Sequence, residues 1–287
     1  VPRNKNKAEE TIAEFAGRRF GKEFAAKVID PLVAGIYAGR AGELSVKAGF
    51  PKLYGLEQKY GSISLGLVQH HRQGAKKMPS SRLFSFKDGI GFLPKALADA
   101  LGERVKTGVT VRRIKKTLHG FSIDTEDKSK LRARAIVVAT QPHVAAELLE
   151  DVDVYSSHTA SEIEAPPLAV VYFGFKRKDV EHPLDGLGFL APESEKLSMS
   201  GSQFCSTMFP GRAPQDCVSM AGYFGGARAP ELAQLPAADL TEIARREFKD
   251  LVGAKGEPVV SRVRHWPRGL PQYKIGHTDR VQTMLKA

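Results

Sequence analysis

Apolar residues at helical spacing dominate the first sixty residues of the chain. Phe20, Phe24 and Val28 recur every four positions, while charged residues fill most of the positions between them. This pattern predicts an amphipathic helix, and Pro31 allows a new segment to begin after it. We therefore expect helices with short breaks from about residue 7 to residue 60.

The apolar run from residue 32 to residue 39 contains two glycines, Gly35 and Gly39. Glycine permits a close approach of the backbone, or a positive φ, where a larger residue would clash. Two interpretations are compatible with this pattern. Either two helices meet at a glycine-lined corner and form ordinary core, or a bulky group lies against the exposed backbone. Periodicity alone favours the first.

Another helix is predicted in the sequence FLPKALADALG. Pro94 stands near its start, Leu93, Leu97 and Leu101 form an apolar stripe, and Gly102 supplies a C-cap. Such a stripe is typical of a helix that packs one face against other elements.

The basic stretch from His70 to Arg82 has no periodicity, and it predicts an exposed loop. His70 and His71 are adjacent, so their side chains point in different directions. No cysteine or carboxylate stands at ligand spacing from them. We therefore predict no metal site.

Alternating and continuous apolar runs predict strands in the middle of the chain. A hairpin with a third strand is expected over Val109–Ile114, Gly120–Thr125 and Leu131–Arg134. It leads into Ala135–Thr140, whose apolar residues predict a central strand that is buried on both faces of a parallel sheet. Pro142 then begins a helix.

A second set of strands predicts an antiparallel sheet in a separate lobe. These strands are expected at Leu168–Phe175, Leu187–Ala191, Phe204–Met208 and Val218–Phe224. A helix with one apolar face follows over Pro236–Leu251, and a further strand over Val259–Trp266.

Composition is that of an ordinary globular protein, with 42% apolar and 26% charged residues in 287. The sequence contains no run of about eighteen apolar residues, which is the length that a membrane-spanning helix needs, so we predict no membrane span.

The first residues contain neither an initiator methionine nor an apolar signal core, so we interpret them as a cut end. Cys205 and Cys217 match no metal motif, and we expect free thiols.

The net charge of +11 is unevenly placed along the chain. Residues 1–82 hold fifteen Lys or Arg against seven Asp or Glu, a surplus of eight. No nucleic-acid-binding motif accompanies this surplus, so we predict no nucleic-acid partner. Basic amphipathic helices are common at lipid surfaces, and we favour a peripheral membrane contact.

One dinucleotide-binding pattern is present and is rejected. Gly186, Gly188 and Ala191 spell G-x-G-x-x-A, which requires a preceding strand and a following helix to hold a pyrophosphate. Pro192 follows at once, and the residues themselves predict a strand. No G-x-S-x-G, H-E-x-x-H or P-loop motif is present, so hydrolysis and phosphoryl transfer have no support.

Several short motifs together resemble a known family. They are P-L-x-x-G-I-Y-A-G at Pro31–Gly39, E-L-S at Glu43–Ser45, F-P-x-L at Phe50–Leu53, E-Q-x-Y-G-S at Glu57–Ser62 and P-Q-Y-x-x-G-H at Pro271–His277. This set resembles the oxygen-dependent protoporphyrinogen oxidases, FAD-dependent enzymes of haem biosynthesis in the amine-oxidase-like superfamily. Arg40 departs from the family, in which many members carry an acidic residue there.

The resemblance implies a function and a set of site residues. The implied reaction is the oxidation of protoporphyrinogen IX to protoporphyrin IX, with FAD as cofactor and dioxygen as acceptor. The implied substrate-binding residues are Gly35, Leu187, Gly188, Leu190 and Leu270, and the implied FAD-binding residues are Val111, Ala139, Thr140 and Trp266. No catalytic residue is assigned, because the flavin itself accepts the hydride. Arg40 is one candidate partner for a substrate propionate.

The resemblance also completes the predicted architecture, which is α/β plus α+β. We expect a helical, membrane-facing region over 1–83, a partial FAD-binding sheet over 84–155, a mostly antiparallel substrate lobe over 156–258, and a return to the active site over 259–287. The location implied is cytoplasmic and peripheral, on the inner face of the membrane. The family's terminal flavin-binding segments are not in this sequence, so we expect this chain alone to bind FAD weakly and turn over poorly.

Alternatives stay open at this point. The substrate could be coproporphyrinogen III, which has four propionates instead of two and therefore favours a more basic cleft. An amine oxidase or carotenoid desaturase would share the fold, although the motifs around Gly35 and Pro271 argue against both. The chain could also be a non-catalytic porphyrin- or lipid-binding fragment. A homo-oligomer is neither predicted nor excluded.

Overall fold

The computed structural model describes residues 8–72 and 85–286, which form two compact units. The first unit contains residues 8–63 and Glu164–Thr278. The second contains residues 64–72, 85–163 and 279–286. The predicted helical region and the predicted antiparallel lobe therefore belong largely to one unit.

The described residues form α-helices and β-strands in mixed order. The helices are α1 Ile12–Phe20, α2 Lys22–Phe24, α3 Asp30–Tyr37, α4 Val46–Gly49, α5 Pro51–Tyr60, α6 Ile63–Arg72, α7 Phe92–Leu101, α8 Pro142–Leu149, α9 Val154–Ser161, α10 Cys205–Met208, α11 Ala237–Val252 and α12 His277–Lys286. The strands are β1 Val111–Thr117, β2 Gly120–Thr125, β3 Lys130–Ala133, β4 Leu168–Lys176, β5 Gly188–Leu190, β6 Gly201–Gln203, β7 Cys217–Gly225 and β8 Val260–Trp266.

The N-terminal helices are segmented. Thr11 and Glu14 form a capping box at the start of α1, and Gly21 at φ 96° separates α1 from α2. A single π-helical stretch, Ala25–Ile29, then leads into α3. The expected helices with short breaks are confirmed, but the apolar stripe that begins at Phe20 runs across three pieces instead of one helix. Among the described residues, no helix is both long and apolar enough to cross a bilayer.

A buried ion-pair cluster fixes α5 against α1. The Glu57 carboxylate is fully buried and accepts hydrogen bonds from Arg18, at 2.9 Å from Nη1, and from Arg19. Burial alone would raise the pKa of Glu57, but the hydrogen bonds and charges of the two arginines together lower it. The cluster thus stabilises the carboxylate form inside the helical part of the first unit.

The first unit is built around a five-stranded antiparallel sheet in the order β5-β6-β7-β4-β8. Successive side chains of a strand point to opposite faces, so each strand contributes one set of residues to either face. On the inner face, the buried side chains of Phe173 and Met220 pack with Leu240 and Phe248 of α11. The ring centroids of Phe173 and Phe248 lie 5.9 Å apart. The predicted antiparallel sheet is therefore confirmed.

One predicted strand in this sheet is wrong. Phe204–Met208 was expected to be extended, but Cys205–Met208 is the short helix α10, and the strand lies just before it as β6. Phe204 is buried, and its carbonyl accepts from the backbone N–H groups of Thr207 and Met208. Phe204 and Met208 stand four positions apart, and this spacing suits one turn of a helix as well as it suits a strand.

The second unit contains a three-stranded antiparallel sheet, β1-β2-β3, and the helices α8 and α9. The predicted parallel FAD-binding sheet is not formed by the described residues. Residues 135–139 have no ladder partner in the described part of the chain, and Val137 is 90% exposed. A central strand needs hydrogen-bonded neighbours on both edges. The apolar run therefore predicts that this segment favours an extended, buried conformation, but it does not predict which strands pair with it.

Smaller differences concern individual segments. The loop predicted over His70–Arg82 is wrong for residues 70–72, which belong to α6, and its residues 73–82 lie outside the described residues. The helices α9 and α12 were not predicted. The helix around Pro94 is confirmed as α7, which ends at Gly102.

Candidate functional site

The outer face of the five-stranded sheet carries two cross-strand rows of side chains. The first row is Leu190, Gly201, Tyr223, Val170 and Arg264, and the second is Gly188, Gln203, Ala221, Tyr172 and Arg262. Leu168 and Trp266 continue the face beyond the first row. We call this surface the open face, because the helix α11 covers the opposite side of the sheet.

The open face begins at β5, where α3 comes against it. A Cβ atom added at Gly35 would lie 2.5 Å from the Leu190 Cδ2 atom, inside van der Waals contact. The glycine in α3 thus allows the helix backbone to touch the Leu190 side chain directly. Two of the predicted substrate-binding residues, Gly35 and Leu190, are therefore in contact.

A pair of arginines holds α3 at the β5 end of the sheet. Arg228 binds the Asp30 carboxylate at 2.5 Å and donates to the Ala191 carbonyl at 3.0 Å, so it links the start of α3 to the residue after β5. Arg40 donates to the carbonyls of Ala227 and Arg228, at 3.0 and 2.8 Å. Arg40 is therefore engaged in fixing α3, although the sequence offered it as a partner for a substrate propionate.

Arg228 and Asp30 were missed by the sequence analysis. Their separation of 198 positions leaves no local spacing signal that pairs them. The sequence did contain one signal for Asp30. An acidic residue directly before Pro31 is typical of the first turn of a helix.

Leu270 is linked to the end of α3 through Gln272. The Gln272 amide donates to the carbonyls of Tyr37 and Leu270, both at 2.9 Å, and thereby connects the end of α3 to the segment after β8. Gln272 is buried, and its Oε1 atom has no hydrogen-bond partner among the residues that the structure describes; a Cβ at Gly39 would lie 2.6 Å from that atom. The glycine at position 39 thus makes room for the amide that positions Leu270.

The middle of the open face is polar but not acidic or basic. The Tyr223 hydroxyl donates to the Gln203 Oε1 atom at 2.6 Å. Burial, and then the nearby Cys205 thiol, raise the pKa of Tyr223, so the phenol stays protonated at neutral pH. Cys205 and Cys217 are free thiols, as predicted.

Leu187 and Gly188 occupy the β5 edge. Leu187 is exposed just before β5, and its carbonyl accepts from the Phe204 N–H at 2.9 Å. Gly188 has φ 145°, and a Cβ there would lie 2.0 Å from the Ser202 carbonyl oxygen, so only glycine fits. Rejection of the G-x-G-x-x-A pattern is confirmed, because its second glycine begins a strand, not a helix.

The predicted FAD-binding residues are divided between the units. Trp266 lies on the open face in the first unit. Val111 begins β1, and Ala139 and Thr140 precede α8 in the second unit. Val111 and the unpaired 135–139 segment offer exposed apolar surface that suits the ring systems of a flavin dinucleotide. This surface suits only the apolar part of the cofactor. The one dinucleotide-binding pattern of the sequence, G-x-G-x-x-A, lies in a strand and therefore does not form a phosphate loop. These roles stay predictions.

Comparison with known families decides the chain's relationship. The family model described as flavin containing amine oxidoreductase matches residues 1–285. The chain belongs to this family. The description of this family names a flavin and an oxidoreductase, which agrees with the flavin and the oxidoreductase class expected from the sequence.

Individual relatives of this chain are named for tetrapyrrole oxidation. The chloroplastic protoporphyrinogen oxidase of Nicotiana tabacum is 30% identical over 97% of this chain and 55% of its own length. The coproporphyrinogen III oxidase of Bacillus subtilis is 26% identical over 100% of this chain and 62% of its own length. The predicted resemblance to protoporphyrinogen oxidases is thus confirmed.

A solved structure supports the same fold. The crystal structure of a candidate protoporphyrinogen oxidase from Exiguobacterium sp. 255-15 superposes with a TM-score of 0.81 at 21% identity, covering 98% of this chain and 60% of that one. The chain spans about half the length of the curated relatives it matches.

Proposed function

We propose that the open face binds a tetrapyrrole, and that this chain forms the substrate side of an FAD-dependent protoporphyrinogen oxidase. The observation that carries the proposal is the contact of Gly35 with Leu190 at the end of an apolar and aromatic sheet face. A mostly apolar macrocycle of pyrrole rings suits a surface of Tyr223, Tyr172 and Trp266. The names of the relatives supply the reaction class.

The residues of the chain would orient the substrate and exclude water from it. Leu190 and Leu270 would contact the macrocycle, and Gln272 would keep the Leu270 backbone in place beside the end of α3. The bound flavin supplies hydride acceptance, and dioxygen is the proposed final acceptor. The strands of the open face present no carboxylate or imidazole to it, which suits a reaction whose hydride leaves directly to a cofactor.

A binding experiment tests the site independently of turnover. We expect the purified chain to bind protoporphyrin IX, and Gly35→Ala to weaken that binding about tenfold, because the added Cβ displaces the Leu190 side chain. Gly17→Ala is the matched control, because a Cβ there meets nothing within 4 Å, and its affinity should change less than about twofold. Equal affinities for the three folded proteins would contradict the proposed site.

An activity experiment tests the reaction. With FAD at saturating concentration and air, the chain should convert protoporphyrinogen IX slowly, as expected from weak FAD binding, but faster than FAD alone does. Coproporphyrinogen III serves as the alternative substrate. Faster conversion of coproporphyrinogen III would assign the chain to that second reaction. Porphyrin binding without acceleration of either conversion would favour the non-catalytic binding protein.

We also propose a peripheral membrane contact through the stripe of Phe20, Phe24 and Val28, with the protein on the inner, cytoplasmic face of the membrane as the resemblance implies. These side chains are 50%, 42% and 45% exposed, and Lys22 and Lys27 flank them. Anionic liposomes should pellet the chain, and the double variant Phe20→Ser with Phe24→Ser should pellet several-fold less. Leu118→Ser, at an exposed turn of the second unit, is the control. Unchanged pelleting of the double variant would refute this contact.

A further inference from the structure

The open face ends in a strand with two unneutralised arginines. Arg262 and Arg264 lie two positions apart on β8, so both side chains point to the same face. Both are exposed, while Val263 between them packs towards the core on the other face. In the described part of the chain, neither arginine forms an ion pair.

Other arginines near the site are already neutralised or engaged. Arg228 pairs with Asp30, and Arg40 pairs with Glu193 at 3.3 Å besides its two backbone carbonyls. The ten positions of the two cross-strand rows contain no acidic residue. The open face is therefore uncharged in its middle and positively charged along β8, and the charge has no partner within the face.

The two rows also set the distance between the ends of the face. Leu190 and Arg264 stand at opposite ends of one row, and four strand spacings of about 4.8 Å separate them by about 19 Å. An arginine side chain reaches several ångströms back from its strand. A tetrapyrrole seated on Leu190 and Tyr223, with its carboxylate arms extended along the row, therefore ends beside the guanidinium groups.

The neighbours of the two arginines suit the edge of an aromatic anion. The Arg264 guanidinium lies 5.8 Å from the Trp266 ring centroid, and Arg262 stands opposite Tyr172 on β4. Stacking on Trp266 orients the Arg264 guanidinium without using up its hydrogen-bond donors, which stay available for a carboxylate. Arg262 donates from Nη1 to the Ser261 carbonyl at 3.0 Å and has further N–H donors for a carboxylate.

We propose that Arg262 and Arg264 are specificity-determining residues that bind the carboxylate arms of the tetrapyrrole at the β8 edge of the open face. This inference rests on the proposed function, because it takes the macrocycle to lie on that face. It adds that affinity depends on the number of carboxylates, so a tetracarboxylate porphyrin gains more from these arginines than a dicarboxylate one.

The test measures the affinity of the whole chain for coproporphyrin III and protoporphyrin IX by quenching of Trp266, the single tryptophan. The double variant Arg262→Ser with Arg264→Ser should bind coproporphyrin III at least about tenfold more weakly at low salt, and protoporphyrin IX less so. Arg264→Lys should retain part of the affinity, because it keeps the charge but loses the bidentate geometry. High salt should reduce the difference between wild type and double variant.

Arg246→Ser is the matched control, because it removes an exposed arginine from α11 on the covered side of the sheet. An equal loss of affinity in this control would assign the effect to net charge and overturn the inference. Unchanged binding of both porphyrins by the folded double variant would overturn it while leaving the proposed function intact. Failure of the wild-type chain to bind either porphyrin would overturn both.

Discussion

The two units of this chain use apolar residues in different ways. In the first unit, the inner face of the five-stranded sheet and the apolar face of α11 bury one another, and Phe173, Phe248 and Met220 are fully enclosed. In the second unit, the equally regular stripe of Leu93, Leu97 and Leu101 on α7 is about half exposed, and Val137 is almost wholly exposed. The same kind of sequence pattern thus leads to core in one unit and to surface in the other.

The difference teaches what a hydrophobic pattern specifies. A stripe of leucines specifies the side of a helix that seeks contact, because apolar area removed from water stabilises the folded chain. Whether that side is buried depends on a second element with a matching surface. The first unit contains both partners, α11 and the sheet, whereas the described residues of the second unit leave the apolar side of α7 exposed.

The largest expected effect comes from removing a partner in the first unit. Phe248→Ala should lower the free energy of unfolding by about 3–5 kcal/mol, because the ring is fully buried against Phe173 and its loss leaves a cavity. Leu97→Ala is the matched change in the second unit and should cost less than about 1 kcal/mol, because the leucine is 56% exposed. Chemical denaturation of both variants measures the contrast. Equal losses would mean that the second unit buries α7 as tightly as the first buries α11.

The next effect concerns the buried ion pairs in the helical part of the first unit. Glu57→Gln should cost about 3 kcal/mol at neutral pH, because Arg19 is then left buried beside a neutral amide. The pKa of Glu57 is lower in the folded chain than in the unfolded chain. The ionised carboxylate therefore contributes its full share to the free energy of unfolding above the unfolded-state pKa of about 4.3. This share is lost as the pH falls through the folded-state pKa.

Thermal unfolding from pH 7 to pH 3 checks this dependence. The gap between wild type and Glu57→Gln should be widest at neutral pH and should narrow in acid. A gap that stays constant over this range would show that the loss is one of packing and not of charge.

A smaller effect is expected where α3 meets the sheet. Arg228→Ala should cost about 2 kcal/mol, because it leaves the Asp30 carboxylate without its partner and frees the start of α3 from Ala191. Porphyrin affinity should fall together with stability, since α3 carries the contact with Leu190. Arg245→Ala, which removes an exposed pair with Glu257, is the control and should change neither quantity measurably. If Arg228→Ala lowers stability but leaves porphyrin affinity unchanged, α3 does not contribute to the porphyrin-binding site.

The smallest effect on stability is expected at the exposed apolar run of the second unit. Val137→Ser should change the free energy of unfolding by less than about 0.5 kcal/mol, because the side chain already lies in water. The same substitution should reduce binding of a hydrophobic dye, since it interrupts an apolar segment that has no strand partner among the described residues. A loss of 2 kcal/mol or more would mean that the run is buried in solution.

Sequence reasoning succeeded where local signals were complete. The helix around Pro94 had a proline near its start and a glycine at its end, and both limits were confirmed in α7. The strands β4 and β7 are long apolar runs bounded by turns, and they form where expected. It failed at Cys205–Met208, where four residues of a short turn carry too little periodicity to separate a helix from a strand.

The candidate site shows the same limit. Gly35, Leu190 and Leu270 were selected by resemblance, and their apolar or glycine character suits the positions where α3 meets the open face. Arg228, Gln272 and the β8 arginines gain their importance from neighbours that are distant along the chain. No spacing rule joins residues that are separated by two hundred positions.

The sequence by itself determined the family, the antiparallel character of the main sheet and the identity of most helices, because these depend on motifs and on periodicities within a few residues. Only the tertiary structure decided which apolar surfaces are buried, which arginines are neutralised and which side chains share a face. Those properties depend on strand order and register, and hydrogen bonds between distant segments set both. The cross-strand rows from Leu190 to Arg264 exist only once five separate segments have paired.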